Sequence, residues 1–217
     1  MSSARDRILA RVRAALGRDG PLPAAQAEAL HAHVAQHPAG PRPPSDWEPI
    51  ARFRERALAL SSTVDEVETM AGVPAAVARY LARMNLPTRA VVWPEFAQLD
   101  WKAAGIEAEA RAPTGTDPVG ITGCFCALAE TGTLLQLSAP DRPASTSLVP
   151  ETHIAVVPAA RIVNAMEEAW ALVRKELGRL PRAVNFISGP SRTADIEQTI
   201  VLGAHGPYRV HIVVVQG

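Results

Sequence analysis

The stretch Ala90-Val91-Val92-Trp93-Pro94 decides the fold class. Four consecutive apolar residues closed by a proline read as a short strand buried on both faces. Helical periodicity precedes it over 74–84, where Val77, Leu81 and Met84 form one apolar stripe. A helical reading follows over 94–104, and then a second strand over 107–111. Strand and helix alternating at this spacing predict an α/β protein with helices on the faces of a sheet.

Working outward, residues 124–129 and 133–138 are two strand-like runs separated by Glu130-Thr131-Gly132, a spacing that suits a hairpin. His153 to Val157, Val184 to Ser188 and Val210 to Val215 add three more strands. Arg161 to Leu177 reads as a helix with Ile162, Met166, Trp170, Val173 and Leu177 on one face. One hairpin among many crossovers predicts a mixed, mostly parallel sheet. Toward the amino end, further helices are expected at 50–60 and 63–71.

Residues 17–49 carry seven prolines, at 21, 23, 38, 41, 43, 44 and 49, and admit only a helix over Ala24 to Val34. Residues 2–16 form an amphipathic helix with Ser2 or Ser3 as its cap, Ile8, Leu9, Val12 and Leu16 on one side and arginines elsewhere. The expected organisation is an amino-terminal helix and proline-rich linker over 1–49, followed by an α/β domain over 50–217.

Lysine plus arginine and aspartate plus glutamate both number 22 in 217 residues, so net charge gives no reason to expect nucleic acid or a membrane surface. No run approaches the ~20 apolar residues of a membrane span, and no secretory leader is visible. Two cysteines, two positions apart, make no disulfide framework and suit a reducing cytoplasm. On a strand, Cys124 and Cys126 share a face as small apolar residues; two thiolates do not complete the set of an iron–sulfur cluster. His31, His33 and His37 lack the rigid frame and companion ligands of a metal site.

Three loops carry chemistry. Ser188-Gly189-Pro190-Ser191-Arg192-Thr193-Ala194-Asp195 follows a strand and opens a predicted helix. Unpaired N–H groups at a helix start attract anions. Gly189 permits close approach, Ser191 and Thr193 offer hydroxyls, and the Arg192 fork matches a carboxylate or phosphate. Asp195 with Gln198 resembles a helix-capping pair. The alternative is a capped turn with Arg192 in a structural pair. In the second loop, Glu130 beside an apolar strand is a candidate acid, base or nucleophile, with Thr131, Gly132 and Thr133 as ligand-binding neighbours. The alternative there is a plain hairpin whose Gly132 supplies positive φ. The third loop, Gly203-Ala204-His205-Gly206-Pro207, offers His205 for proton exchange and Gly206 for backbone approach, or is simply a turn.

Five ordered runs carry a resemblance: Asp117-Pro118-Val119-Gly120-Ile121-Thr122-Gly123, Ala129-Glu130-Thr131-Gly132-Thr133, His153-Ile154-Ala155-Val156-Val157-Pro158, Ser188 to Glu197, and Leu202-Gly203-Ala204-His205-Gly206-Pro207. In order and spacing they resemble the lactate-utilisation C family with its LUD domain, over roughly residues 88–217. Cys124-Phe125-Cys126 departs from the acidic or small residue usual after Thr122-Gly123. The resemblance implies a three-layer α/β/α sandwich like that of the NagB/RpiA/CoA-transferase group. It implies a component of a lactate-utilisation system supporting oxidation of L-lactate to pyruvate. Such a component binds a small carboxylate or phosphate and holds no cofactor itself; the iron–sulfur clusters sit on partner subunits. A self-sufficient sugar-phosphate or CoA-type enzyme, with Glu130 equated to the CoA-transferase nucleophile by analogy, and a non-catalytic adaptor remain the alternatives.

Overall fold

A computed structural model describes residues 3–18, 20–193 and 201–217. The chain divides into two units, Met1–Pro44 and Ser45–Gly217. In the first, α1 spans Ala4–Ala15 and α2 spans Ala24–Gln36. Ser3 caps α1 reciprocally with Asp6: the Ser3 hydroxyl accepts from Asp6 N–H, and the Asp6 carboxylate accepts from Ser3 N–H. Ile8, Leu9, Val12 and Leu16 are all exposed. His31, His33 and His37 lie exposed along and just after α2.

The second unit begins with α3, Pro49–Ala59, whose first N–H groups are capped by the Glu48 carboxylate. The elements then run β1 Thr63–Val67, α4 Val73–Arg83, β2 Arg89–Val92, β3 Glu107–Glu109, β4 Val119–Gly123, β5 Cys126–Leu128, β6 Thr133–Leu137, β7 Thr152–Pro158, β8 Ile162–Val163, α5 Met166–Leu177, β9 Val184–Ile187, β10 Arg192–Thr193, β11 Val201–Leu202 and β12 Arg209–Val215. The helix expected over 63–71 is not there. Glu66 favours helix on paper, but Thr63 to Val67 pairs in parallel with His211 to Val215, and that tertiary ladder wins. The helix expected over 94–104 is a 3-10 turn at Pro94–Phe96 followed by hydrogen-bonded turns. There the Asp100 side chain accepts from Ala103 N–H and the Trp101 indole donates to Phe96 O. The helix expected from 161 starts at Met166, because Ile162–Val163 is drawn off to pair beside β5.

The α/β sandwich predicted from the sequence is present, with its mixed pairing divided between two sheets. Six strands in the order β1-β12-β7-β4-β2-β3 form a wholly parallel sheet. Four strands in the order β8-β5-β6-β9 form a smaller sheet holding the antiparallel hairpin. The α4 helix and the turns after β2 cover one face of the large sheet, through Val77, Tyr80, Leu81, Phe96 and Trp101. The small sheet and α3 cover the other face, where Ala127, Leu134, Phe53 and Ala57 meet Ala155, Val157, Ile212 and Val214. The outer side of the small sheet is closed by α5 through Ala169 and Val173.

Polar groups tie these layers together. Between the sheets, the Gln136 amide donates to Thr122 Oγ1 and to Gly123 O. The Thr122 hydroxyl in turn lies 2.8 Å from His153 Nε2, within hydrogen-bond distance. His153 is fully buried, and burial lowers its pKa to about 4, so the ring is neutral. On the opposite face, His211 stacks on Tyr80 with ring centroids 3.9 Å apart, and its Nδ1 meets Thr63 Oγ1 at 2.8 Å. At the entrance to β4, Arg111 grips Asp117 through two nitrogens at 2.7 and 2.8 Å, and Thr114 donates to the same carboxylate.

Candidate functional site

The loops singled out by sequence do converge, at the amino-terminal edge of the large sheet. Thr131 Oγ1 donates to Thr133 Oγ1 at 2.8 Å, and Thr133 Oγ1 lies 2.7 Å from Ser188 Oγ. This hydroxyl chain joins the β5–β6 hairpin to the Ser188 loop. Ser191 N–H donates to Pro207 O, and Gly203 N–H donates to Ser191 O, which joins that loop to the Gly203–Pro207 turn. Gly206 packs against the Ser191 side chain. The turn opens on a cavity of about 460 Å³ lined by Leu148, Val149, Glu151, Tyr208 and Arg209 as well as by Gly203 and Gly206.

Two glycines in this cluster serve the protein's own backbone. Gly132 has φ +67°, and a Cβ there would stand 2.4 Å from Ala57 N. Gly189 has φ +81°, and a Cβ there would stand 2.3 Å from Leu60 O. Both let a loop lie against the end of α3. Arg192 works at the same seam: its Nη2 donates to Leu60 O at 2.6 Å and to Ser61 Oγ at 2.9 Å. In open parallel sheets the ligand crevice lies at the carboxyl ends of the strands. Ser188 instead follows β9 of the small sheet, and Leu60 and Ser61 sit just before β1. Arg192 and Thr193 form the first strand of the short β10–β11 ladder. Asp195, Gln198 and the helix expected to open there lie outside the described residues.

The two candidate catalytic groups occupy different loops. Glu130 is half-buried, and its N–H donates to Asn164 O beside β8. His205 is exposed on the turn before β12. The hairpin reading of Gly132 accounts for the geometry around it: Gly132 N–H donates to Leu128 O across the turn.

Sequence reasoning missed a second convergence, at the carboxyl ends of β2 and β4. After β2 the chain crosses to β3 on one side; after β4 it proceeds toward β7 on the other. These adjacent strands therefore flank a topological switch point, where open parallel sheets leave a crevice. A cavity of about 160 Å³ occupies it, lined by Trp93, Glu95, Cys124, Phe125, Ser138 and Arg142 among others. A tight turn, Ala139 to Arg142, closed by reciprocal backbone hydrogen bonds of 3.0 and 3.3 Å, presents Arg142 at its rim. The Trp93 indole donates to Pro143 O at 3.3 Å and braces that rim.

Arg142 Nη2 stands 3.5 Å from Glu95 Oε2. Burial pushes the Glu95 pKa up, the Arg142 charge draws it back down, and Asp141 adds a smaller push upward. Gly123 makes room for this carboxylate: a Cβ at 123 would stand 2.5 Å from Glu95 Oε1. Burial also pushes the Cys124 and Cys126 thiols up, the latter to about 11, so both stay protonated at neutral pH. Arg161 fixes the Phe125 wall by donating to Phe125 O at 2.7 Å while pairing with Glu176. A strand ending in Trp-Pro-Glu was the one signal in the sequence that pointed to this end of the sheet. Among the described residues, no group of three His, Cys, Asp or Glu side chains is placed to hold a metal, and no helix is long and apolar enough to cross a membrane.

Comparison with known proteins agrees with this architecture. The chain is 37% identical over 130 residues to the Lactate utilization protein C of Bacillus licheniformis, covering 57% of this chain and 53% of that protein. It is 41% identical over 100 residues to the protein of the same name from Bacillus subtilis, covering 45% and 42%. The chain thus spans about half the length of the curated relatives it matches. A crystal structure of a DUF162 family protein from Deinococcus radiodurans superposes with a TM-score of 0.59 at 25% identity, over 80% of this chain and 99% of that one. Residues 50–215, almost the whole second unit, match the LUD domain, and the chain belongs to that family.

Proposed function

We propose that this protein acts in lactate utilisation, as a subunit that binds a small carboxylate while electron transfer runs on partner proteins carrying iron–sulfur clusters. The similarity to relatives named for lactate utilisation carries this reading. The site chemistry supports it: hydroxyls, an arginine and a carboxyl group suit binding and orienting a small acid. Two protonated thiols, one half-buried and one buried, do not make a redox-cluster ligand set.

The test is growth on L-lactate after deletion of the gene, with the full chain returned. Loss of growth that the chain restores is expected; unaltered growth refutes the role. In parallel, the purified chain with L-lactate and an artificial electron acceptor is expected to form no pyruvate until its partners are added. Turnover by the chain alone would move the assignment to a self-sufficient enzyme. The exposed stripe of Ile8, Leu9, Val12 and Leu16 amid arginines favours α1 as an element that docks on those partners. Removing residues 1–20 should then abolish co-purification; retained co-purification refutes that docking role.

A further inference from the structure

We propose that the crevice between the carboxyl ends of β2 and β4 is the binding site for a small 2-hydroxy or 2-oxo acid, with Arg142 receiving its carboxylate beside Glu95. The inference rests on the carboxylate-binding reading above and assigns it a place.

Topology makes the opening. At the switch point the connections leaving β2 and β4 diverge, so no crossover covers the ends of these strands. The size is selective. A cavity of about 160 Å³ is small and suits a ligand of a few heavy atoms. The lining is divided. Trp93, Phe125, Leu137 and Pro181 provide apolar walls, while Glu95, Arg142, Ser138 and the Cys124 thiol provide polar groups.

Charge sets the class of ligand. Among the described residues that line the cavity, Arg142 is the cation; its side chain is 46% exposed, and its turn is closed by two backbone hydrogen bonds. A planar guanidinium at a small cavity recognises a carboxylate through paired hydrogen bonds. Glu95 now occupies part of that fork, at 3.5 Å. An incoming carboxylate competes with Glu95 for Arg142, and Glu95 in its acid form becomes a donor to the ligand's 2-oxygen. The Glu95 carboxyl can stand there only because position 123 is glycine.

The test is calorimetric titration of the full chain with L-lactate, pyruvate and inorganic phosphate, using wild type, Arg142→Leu, Glu95→Gln and Arg192→Ala, with melting curves to confirm folding. Arg142→Leu should weaken lactate or pyruvate binding by about tenfold or more, the loss of a charge-assisted pair. Glu95→Gln should strengthen it several-fold by removing the competing anion, a change that a merely structural Glu95 would not give. Affinity unaltered in both variants overturns the crevice assignment. If Arg192→Ala alone abolishes binding, the ligand sits at the amino-edge loops; the function proposed above then stands and this site falls. If wild type binds neither acid, or binds only phosphate, the carboxylate reading itself fails and takes the crevice with it.

Discussion

His153 makes acid the natural stress for this fold. It is wholly enclosed between the two sheets, its pKa held at about 4 by burial against an ordinary value of 6.5. The unfolded chain therefore takes up a proton near pH 6.5 that the native protein refuses until about pH 4. Stability rises with pH wherever the unfolded state binds more protons. The contribution of His153 is accordingly full above pH 6.5, falls as pH drops through the interval, and is gone below about pH 4. Each pH unit is worth about 1.4 kcal/mol, so going from pH 7 to pH 5 removes about 2 kcal/mol through this side chain. His211 is displaced in the same direction and adds to the slope. Carboxylates of the unfolded chain titrate mostly below that window. The measurement is urea unfolding of wild type and His153→Gln at pH 7, 6 and 5. The variant is expected to be less stable at pH 7, because the Thr122 contact is lost, but to lose about 2 kcal/mol less on acidification. Parallel lines for the two proteins would refute the reasoning, since His153 would then not be the group that resists protonation.

Other outcomes follow from the same geometry. Gly132→Val should cost about 3 kcal/mol or more and lower Tm visibly, because the new side chain meets the backbone of Arg56 and Ala57 at a positive φ. Asp117→Asn should cost about 2 kcal/mol in urea unfolding, since it removes the charge that faces Arg111 and turns one of the two acceptor oxygens shared by Arg111 and Thr114 into an N–H donor. The Arg111 guanidinium holds the Asp117 carboxyl well below the usual carboxylate range, so this pair stabilises the protein above pH 4 and is lost only in stronger acid. Arg192→Ala should cost about 1 kcal/mol by releasing Leu60 O and Ser61 Oγ, a modest figure because the side chain is exposed. Equal melting temperatures would remove the clamp from the account.

How much of this was legible in the sequence depends on where each segment takes its stability. The apolar runs at 90–93, 133–138, 153–157 and 210–215 announce strands because their own side chains fill the core. The hairpin announces itself through Gly132. In contrast, β1 carries Asp65 and Glu66 and lies at the sheet edge, so its identity comes from the β12 backbone beside it. The β4 strand holds two glycines, at 120 and 123, that weaken any strand signal; a Cβ at 120 would collide with Thr146 O, so packing demands what propensity disfavours. The division into two sheets was unreadable because periodicity tells which residues are buried, not what buries them. The amino-edge loops were recognisable as a run of motifs, and the structure does gather them. The crevice was hardly so: Trp93 with Glu95, Cys124, and Arg142 come from three separate segments, and each alone is ordinary for the end of a strand or a turn.

The strand order also bears on how the chain emerges from a ribosome. β12 lies inside the large sheet, between β1 and β7, yet it is made after every other strand described here. Until it arrives, β1 and β7 each carry an open row of backbone donors and acceptors facing an empty slot. Parallel pairing across such sequence distances is slow to form. The nascent protein thus passes through a stage with two adhesive borders, and molecular chaperones have most to guard in the interval before Arg209 to Val215 slides between them.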